Sequence, residues 1–121
     1  MTVRLTRLKA RAEFLRVAAT RIRAVRPGLV LQAAPQNGDG AAPLRVGYTA
    51  SKRVGNAVAR NRAKRRLRAA AAAVLPQRGQ PGADYVLIAR GETGTRPYAQ
   101  LLGDLEGALR QLARPRRGGE A

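Results

Sequence analysis

Residues 44–68, "LRVGYTASKRVGNAVARNRAKRRLR", change from the apolar spacing of a β-strand to that of an α-helix. The first six residues alternate apolar with other side chains, which is the period of a β-strand with one buried face. From Val54 to Val74 the chain is mainly alanine and arginine, with neither proline nor glycine after Gly55. This composition predicts a helix of roughly twenty residues, which we expect Pro76 to end.

The predicted helix has two unlike sides. Placing successive residues 100° apart puts its small apolar residues within one arc of about 80°, which we expect to face the core. The cations fill the rest of the circumference, and they are Arg60, Arg62, Lys64, Arg65, Arg66 and Arg68. No carboxylate lies between Asp39 and Asp84 to offset their repulsion, whereas an ordinary solvated face mixes charges of both signs. The pattern therefore favours binding to a polyanion over a merely solvated surface.

The whole chain supports the same interpretation. It has 121 residues and a formal net charge of +17, and only three of its cations are lysines. Arginine's planar fork suits phosphate oxygens in pairs, so a nucleic acid is the favoured partner. The length predicts a single domain over residues 1–121, with an ordered core at about 4–112 and a flexible tail at 113–121.

Several classes of protein are disfavoured by what the sequence lacks. Without cysteine or histidine there is no thiolate metal site, and the commonest general base at neutral pH is missing. No apolar run approaches the ~18 residues of a spanning helix, and the charged start lacks a signal peptide, so we expect no membrane partner and a cytoplasmic location. No helix-turn-helix, zinc-finger or heptad context is visible, which favours RNA over DNA.

The remaining segments predict two more helices and two more strands. A short helix is expected at Ala10–Ala19, and a second helix at Tyr98–Leu112, where leucines recur at helical spacing. Leu29–Ala34 is predicted to be a strand. We expect it to form a hairpin with the strand that begins at Leu44, across the polar loop "PQNGDGAAP". Ala83–Arg90 is a continuous apolar run, typical of a strand covered on both faces. The order predicts an α/β (α+β) sandwich with a small central sheet packed by helices.

Three stretches together resemble the protein subunit of bacterial ribonuclease P: residues 44–68, "DYVLIAR" at 84–90 and "RLTRLKARAEFLRV" at 4–17. The resemblance covers roughly residues 4–112. It implies a mixed sheet with a left-handed βαβ crossover through the long basic helix. It also implies two partners, a catalytic RNA subunit and precursor tRNA, whose 5′ leader the ribonucleoprotein removes. Mg²⁺ would be held mainly by the RNA, which carries the catalysis.

The resemblance also implies roles for individual residues, none of them catalytic. The expected RNA-binding residues are Lys52, Arg53, Asn56, Arg60, Asn61, Arg62, Lys64, Arg65 and Arg68. For Asn56 and the neighbouring Gly55, ordinary helix N-terminal chemistry is an open alternative. A cleft beside the first helix would hold the leader, with Phe14 stacking on a base and Arg16 or Arg45 supplying charge. As the only phenylalanine, Phe14 could instead be a core residue.

Two other functions are compatible with the composition. A structural RNA-binding protein of the ribosome would share the size and charge but would not need a cleft for a mobile single strand. A protein-only nuclease is disfavoured, because no two of the seven carboxylates form a short paired motif for metal ions.

Overall fold

The computed structural model describes residues 4–35 and 43–113. The predicted flexible tail, apart from Ala113, and most of the predicted hairpin loop lie outside these ranges. The strands are β1 (Leu5–Arg7), β2 (Arg23–Val25), β3 (Leu29–Pro35), β4 (Leu44–Thr49) and β5 (Ala83–Ala89). The α-helices are α1 (Arg11–Ala19), α2 (Ala57–Arg78) and α3 (Tyr98–Ala113), and a 3₁₀ turn at Lys52–Val54 precedes α2.

The five strands form one mixed sheet in the order β1-β4-β5-β3-β2. The central strand β5 is parallel to β4 and antiparallel to β3. Its apolar run is covered on both faces, as predicted: Tyr85 and Leu87 pack in the main core, and Val86 packs in a smaller core on the opposite face. The predicted mixed sheet packed by helices is confirmed.

The predicted hairpin between β3 and β4 is wrong, because β5 lies between these two strands. The physical reason is the apolar character of β5 on both faces. A strand of this kind is most stable at the centre of a sheet, with a neighbour along each edge and helices above and below. β3 and β4 therefore each pair with β5 instead of with each other.

Helix α2 connects the parallel neighbours β4 and β5, which is the crossover that the resemblance implied. Its left-handed sense stays a prediction. The helix begins at Ala57, three residues later than expected, and it passes Pro76 to end at Arg78. Proline in the last turn removes one backbone hydrogen bond, but the buried Val74 and Leu75 hold that turn on the core.

The helices form layers on both faces of the sheet. Helices α2 and α3 cover one face and enclose the main core, while α1 lies on the other face over the smaller core. The sequence did not predict the edge strands β1 and β2, because three residues are too few to show a period. No helix within the described ranges is both long and apolar enough to cross a membrane.

Candidate nucleic-acid interface

The turn that leads into α2 is shaped by backbone constraints. The Ser51 hydroxyl accepts a hydrogen bond from the Arg53 N–H at 3.3 Å, which begins the 3₁₀ turn. Gly55 has a φ of 141°, and a Cβ there would lie 2.9 Å from the Ala59 Cβ, so the position requires glycine. Asn56 caps α2, since its Oδ1 accepts from the Ala59 N–H at 2.9 Å. The helix N-terminal chemistry left open for Gly55 and Asn56 is therefore observed.

The exposed side of α2 gathers six of the predicted RNA-binding residues into one surface, here called the cationic face: Arg60, Asn61, Arg62, Lys64, Arg65 and Arg68. Asn61, Arg62 and Arg65 are exposed, and the other three are half-buried along its flanks. Ala63 and Leu67 on the opposite side are fully buried in the main core. No cation of this face forms an ion pair within residues 4–35 and 43–113. Lys52 and Arg53, just before the helix, are also exposed.

Arg66 belongs to the same helix but has a different role. Its guanidinium donates to the carbonyl oxygens of Thr93 at 2.6 Å and Arg96 at 2.5 Å, both in the turn between β5 and α3. These bonds attach the helix to that turn. The helical pattern placed Arg66 among the cations around α2, and the resemblance gave it no RNA-binding role. Its structural role was not predicted, because the groups that bind it are backbone carbonyls, which every residue carries.

On the opposite face of the sheet, four charged residues form a compact group, here called the Asp84 cluster: Glu13, Arg16, Arg45 and Asp84. Asp84 is fully buried and accepts hydrogen bonds from Arg45 Nε at 2.8 Å and Nη2 at 2.7 Å. Arg16 also donates to the Asp84 carboxylate, and Glu13 accepts from Arg45 Nη1 at 2.6 Å. The cluster attaches α1 to β4 and β5.

Two members of the cluster, Glu13 and Arg45, are held in their charged forms by their neighbours. Backbone N–H groups of Ala10 and Lys9 hydrogen-bond to the Glu13 carboxylate and lower its pKa, and Arg45 adds to the effect. The hydrogen bond to Asp84 is the main reason that the pKa of Arg45 is raised. Glu13 and Arg45 are therefore both ionised at neutral pH, and their charges offset each other.

Beside the cluster, α1 and the sheet form the walls of a cleft. The Phe14 ring lies directly on Gly47, where no side chain has room, and it packs against the smaller core. Two residues beyond Gly47 on the same face of the sheet, three half-buried residues pair in register across the strands: Thr49, Ile88 and Val30. Phe14 is also half-buried, so part of its ring remains accessible from the cleft.

Comparisons with known proteins identify the family of this chain. The family model described as Ribonuclease P matches residues 3–113. The chain belongs to the ribonuclease P protein family. It is 57% identical over 114 residues to the ribonuclease P protein component of Paramagnetospirillum magneticum, covering 93% of this chain and 86% of that protein. The protein component of Ruegeria pomeroyi is 52% identical over 110 residues, covering 90% and 87%.

Solved structures agree with this assignment. The ribonuclease P protein of Staphylococcus aureus superposes with a TM-score of 0.71 at 26% identity, covering 88% of this chain and 94% of that one. The Thermotoga maritima protein shares the fold, with a TM-score of 0.69 at 22% identity over 87% and 96% of the two chains. The predicted protein subunit of a ribonucleoprotein endoribonuclease is confirmed, and the ribosomal alternative is not supported.

The structure divides the predicted site residues between the two faces of the sheet. The cationic face lies on the side of α2, whereas Phe14, Arg16 and Arg45 all lie on the side of α1. Asp84 was not among the predicted site residues. It pairs with both Arg16 and Arg45 and so offsets part of their charge. Only the register of β4 and β5, in which Arg45 lies beside Asp84, reveals this pairing.

Proposed function

We propose that the chain binds the catalytic RNA of ribonuclease P through the cationic face and holds the 5′ leader of precursor tRNA in the cleft beside Phe14. In this way it supports the endonucleolytic removal of the leader that yields the mature 5′ end of the tRNA. The observation that carries the proposal is the distribution of counter-charge. Among the described residues, no carboxylate pairs with the cationic face, which lies on the face of the sheet opposite to the cleft.

Composition alone does not determine which arginines form ion pairs; the positions of the few carboxylates do. All five ion pairs in the described part of the chain use Arg16, Arg45 or Arg96, and none uses a cation of the cationic face. Like charges one helical turn apart, such as Arg60 with Lys64, cost a few tenths of a kcal/mol each. Phosphate groups would relieve this repulsion and accept paired hydrogen bonds from the guanidinium forks.

The cleft offers a different chemistry. The accessible part of Phe14 could stack on a leader base, which contributes roughly 1–3 kcal/mol per base in single-strand binding. Arg16 and Arg45 keep side-chain exposures of 37% and 31%, but Asp84 and Glu13 already offset their charge. We therefore assign base stacking to Phe14 and a polar wall to the two arginines.

The carboxylates of the described residues offer no candidate magnesium site. Within residues 4–35 and 43–113, no three carboxylates lie close enough together to hold a metal ion. Glu13 and Asp84 bind arginines, as does Asp104, which accepts from Arg96 Nε at 2.5 Å. We propose that the Mg²⁺ ions belong to the catalytic RNA and that this chain's residues bind and orient the nucleic acid.

Reconstituted cleavage at low magnesium tests the proposal. Precursor tRNA would be incubated with a ribonuclease P catalytic RNA, with and without the chain, and release of the leader followed over time. We expect the chain to accelerate release, and we expect the chain without catalytic RNA to release none. No acceleration, or cleavage by the protein alone, would contradict the proposal.

A further inference from the structure

Three donor side chains, one of them shared with the cationic face, lie where α2 meets the edge strand β1. β1 pairs with β4 in parallel, with Arg7 beside Val46. Leu5 packs against the main core, so alternation along the strand places Arg7 on the same face, the one that α2 covers. Tyr48, two residues beyond Val46, also packs against that core. Arg7 and Tyr48 are therefore neighbours on the α2 side of the sheet.

Arg68 approaches the same point from the helix. It follows the buried Leu67 and is half-buried. Arg66 and Arg68 are two residues apart, so they project about 160° apart around the helix. Because Arg66 reaches the turn before α3, Arg68 lies on the opposite flank, where α2 contacts β1 and β4.

The electrostatics of Tyr48 are consistent with this placement. Burial raises the pKa of the phenol, and the positive charges of Arg7 and Arg68 both act in the opposite direction. The two guanidinium groups are therefore close enough to influence the same hydroxyl. No ion pair or side-chain hydrogen bond engages Arg7, Arg68 or the Tyr48 hydroxyl within residues 4–35 and 43–113.

We propose that Arg7, Tyr48 and Arg68 form a phosphate-binding site, here called the edge site, for the backbone of the catalytic RNA. The inference rests on the proposed function and extends it from Arg68, on the flank of the cationic face, to Arg7 and Tyr48. Two guanidinium forks and a hydroxyl can donate together to the oxygens of one phosphate group. The edge site lies on the α2 side of the sheet, so its ligand is the RNA that α2 binds and not the leader beside Phe14. The RNA backbone would then pass across α2 to the open edge of β1.

Binding of the full chain to catalytic RNA, without tRNA and over a series of salt concentrations, tests the edge site. Arg23→Ala is the matched control for Arg7→Ala, because both residues are exposed arginines in three-residue strands at opposite edges of the sheet. We expect Arg7→Ala to bind about 5- to 10-fold more weakly and to lose ~0.7–0.9 from the log-log salt slope. Arg23→Ala should bind like wild type.

Tyr48→Phe separates the hydroxyl from the charges. We expect about a 2- to 3-fold loss of affinity with the salt slope unchanged, because the hydroxyl donates a hydrogen bond but releases no counterion. If Arg7 and Arg68 hold the same phosphate, the double alanine variant should lose less affinity than the product of the two single losses. Urea unfolding of each variant would confirm that the fold is intact.

The outcomes separate the edge site from the proposed function. Suppose that Arg65→Ala on the cationic face weakens binding to catalytic RNA, while the affinity of Arg7→Ala equals that of wild type or of Arg23→Ala. The edge site is then wrong and the proposed function stands. If the wild-type chain shows no preference for catalytic RNA over an unrelated transcript of equal length, the proposed function fails first.

Discussion

Two groups of arginines on this molecule have opposite electrostatic surroundings. On the cationic face, Arg62 and Arg65 are exposed and have no carboxylate partner in the described ranges. In the Asp84 cluster, Arg16 and Arg45 share a fully buried carboxylate, and Arg45 also binds Glu13. The first group has no carboxylate to offset its charge within those ranges, whereas the second attaches a helix to the sheet.

Net charge alone therefore does not locate a nucleic-acid interface on this molecule. Arginines occur on both faces of the sheet, and their number does not separate RNA binding from structural pairing. The position of the few carboxylates does, since an arginine already bound to an acid has less charge to offer a phosphate. Variants that change one group at a time can therefore test whether the two groups differ in role.

The largest effect is expected from Asp84→Asn. This change removes a buried carboxylate. It leaves Arg16 without its carboxylate partner and Arg45 with Glu13 alone, but both arginines can still reach water. We therefore expect a loss of about 2–3 kcal/mol of folding free energy, below the usual cost of stranding a fully buried charge. Urea unfolding followed by circular dichroism would measure it.

The control for this variant is Glu106→Gln, which changes a half-buried carboxylate in α3 that forms no ion pair within the described residues. We expect its folding free energy to stay within ~0.5 kcal/mol of wild type. Equal losses in Glu106→Gln and Asp84→Asn would show that the Asp84 cluster has no special structural role.

A reciprocal pair of variants gives the next largest effect. Arg65→Ala should weaken binding to catalytic RNA by about tenfold and leave stability within ~0.5 kcal/mol of wild type. Arg16→Ala should do the opposite. It loses hydrogen bonds to Asp84 and the Pro35 carbonyl, which should cost about 1–2 kcal/mol of stability. Its affinity for catalytic RNA should not change. The two arginine groups would not be distinct if both variants lost affinity equally.

Phe14→Ala should affect substrates according to their leader. Without the ring, precursor tRNA with a long leader should bind the reconstituted complex several-fold more weakly, while mature tRNA should bind as before. Leu15→Ala is the matched control, because Leu15 is the adjacent residue and 55% exposed. A loss of equal size for both tRNAs would mean that Phe14 acts only as a core residue.

The smallest effect concerns pH. Folding lowers the pKa of Glu13 from its ordinary value of 4.5, so the unfolded chain binds its proton more readily. This contribution to stability is fully present above pH 4.5 and is lost as the pH falls through the folded pKa. Urea midpoints between pH 7 and pH 3 should therefore fall more for wild type than for Glu13→Gln. Parallel profiles would contradict the assigned role of Glu13.

Local patterns in the sequence predicted much of the fold. The two sides of α2, the position of α3 and the double-sided burial of β5 all follow from the spacing of apolar residues, and the structure confirms them. The cationic face follows from the same helical period. Each of these features depends on residues that are close together in the chain.

The features that were missed depend on contacts between distant segments. Nothing local shows that β5 inserts between β3 and β4, so the adjacent strands were wrongly predicted to form a hairpin. The pairing of Arg45 with Asp84 joins residues 39 positions apart and requires the strand register. The continuation of α2 past Pro76 depends on the buried side chains of its last turn.

The most direct test of the central claim compares two double variants of equal net charge. Arg62→Gln with Arg65→Gln removes two cations from the cationic face, and Arg78→Gln with Arg110→Gln removes two exposed cations elsewhere. For binding to catalytic RNA, we expect the log-log salt slope to fall by ~1.4–1.8 in the first and to stay at the wild-type value in the second. An equal fall in both would show that total charge, and not the cationic face of α2, governs RNA binding.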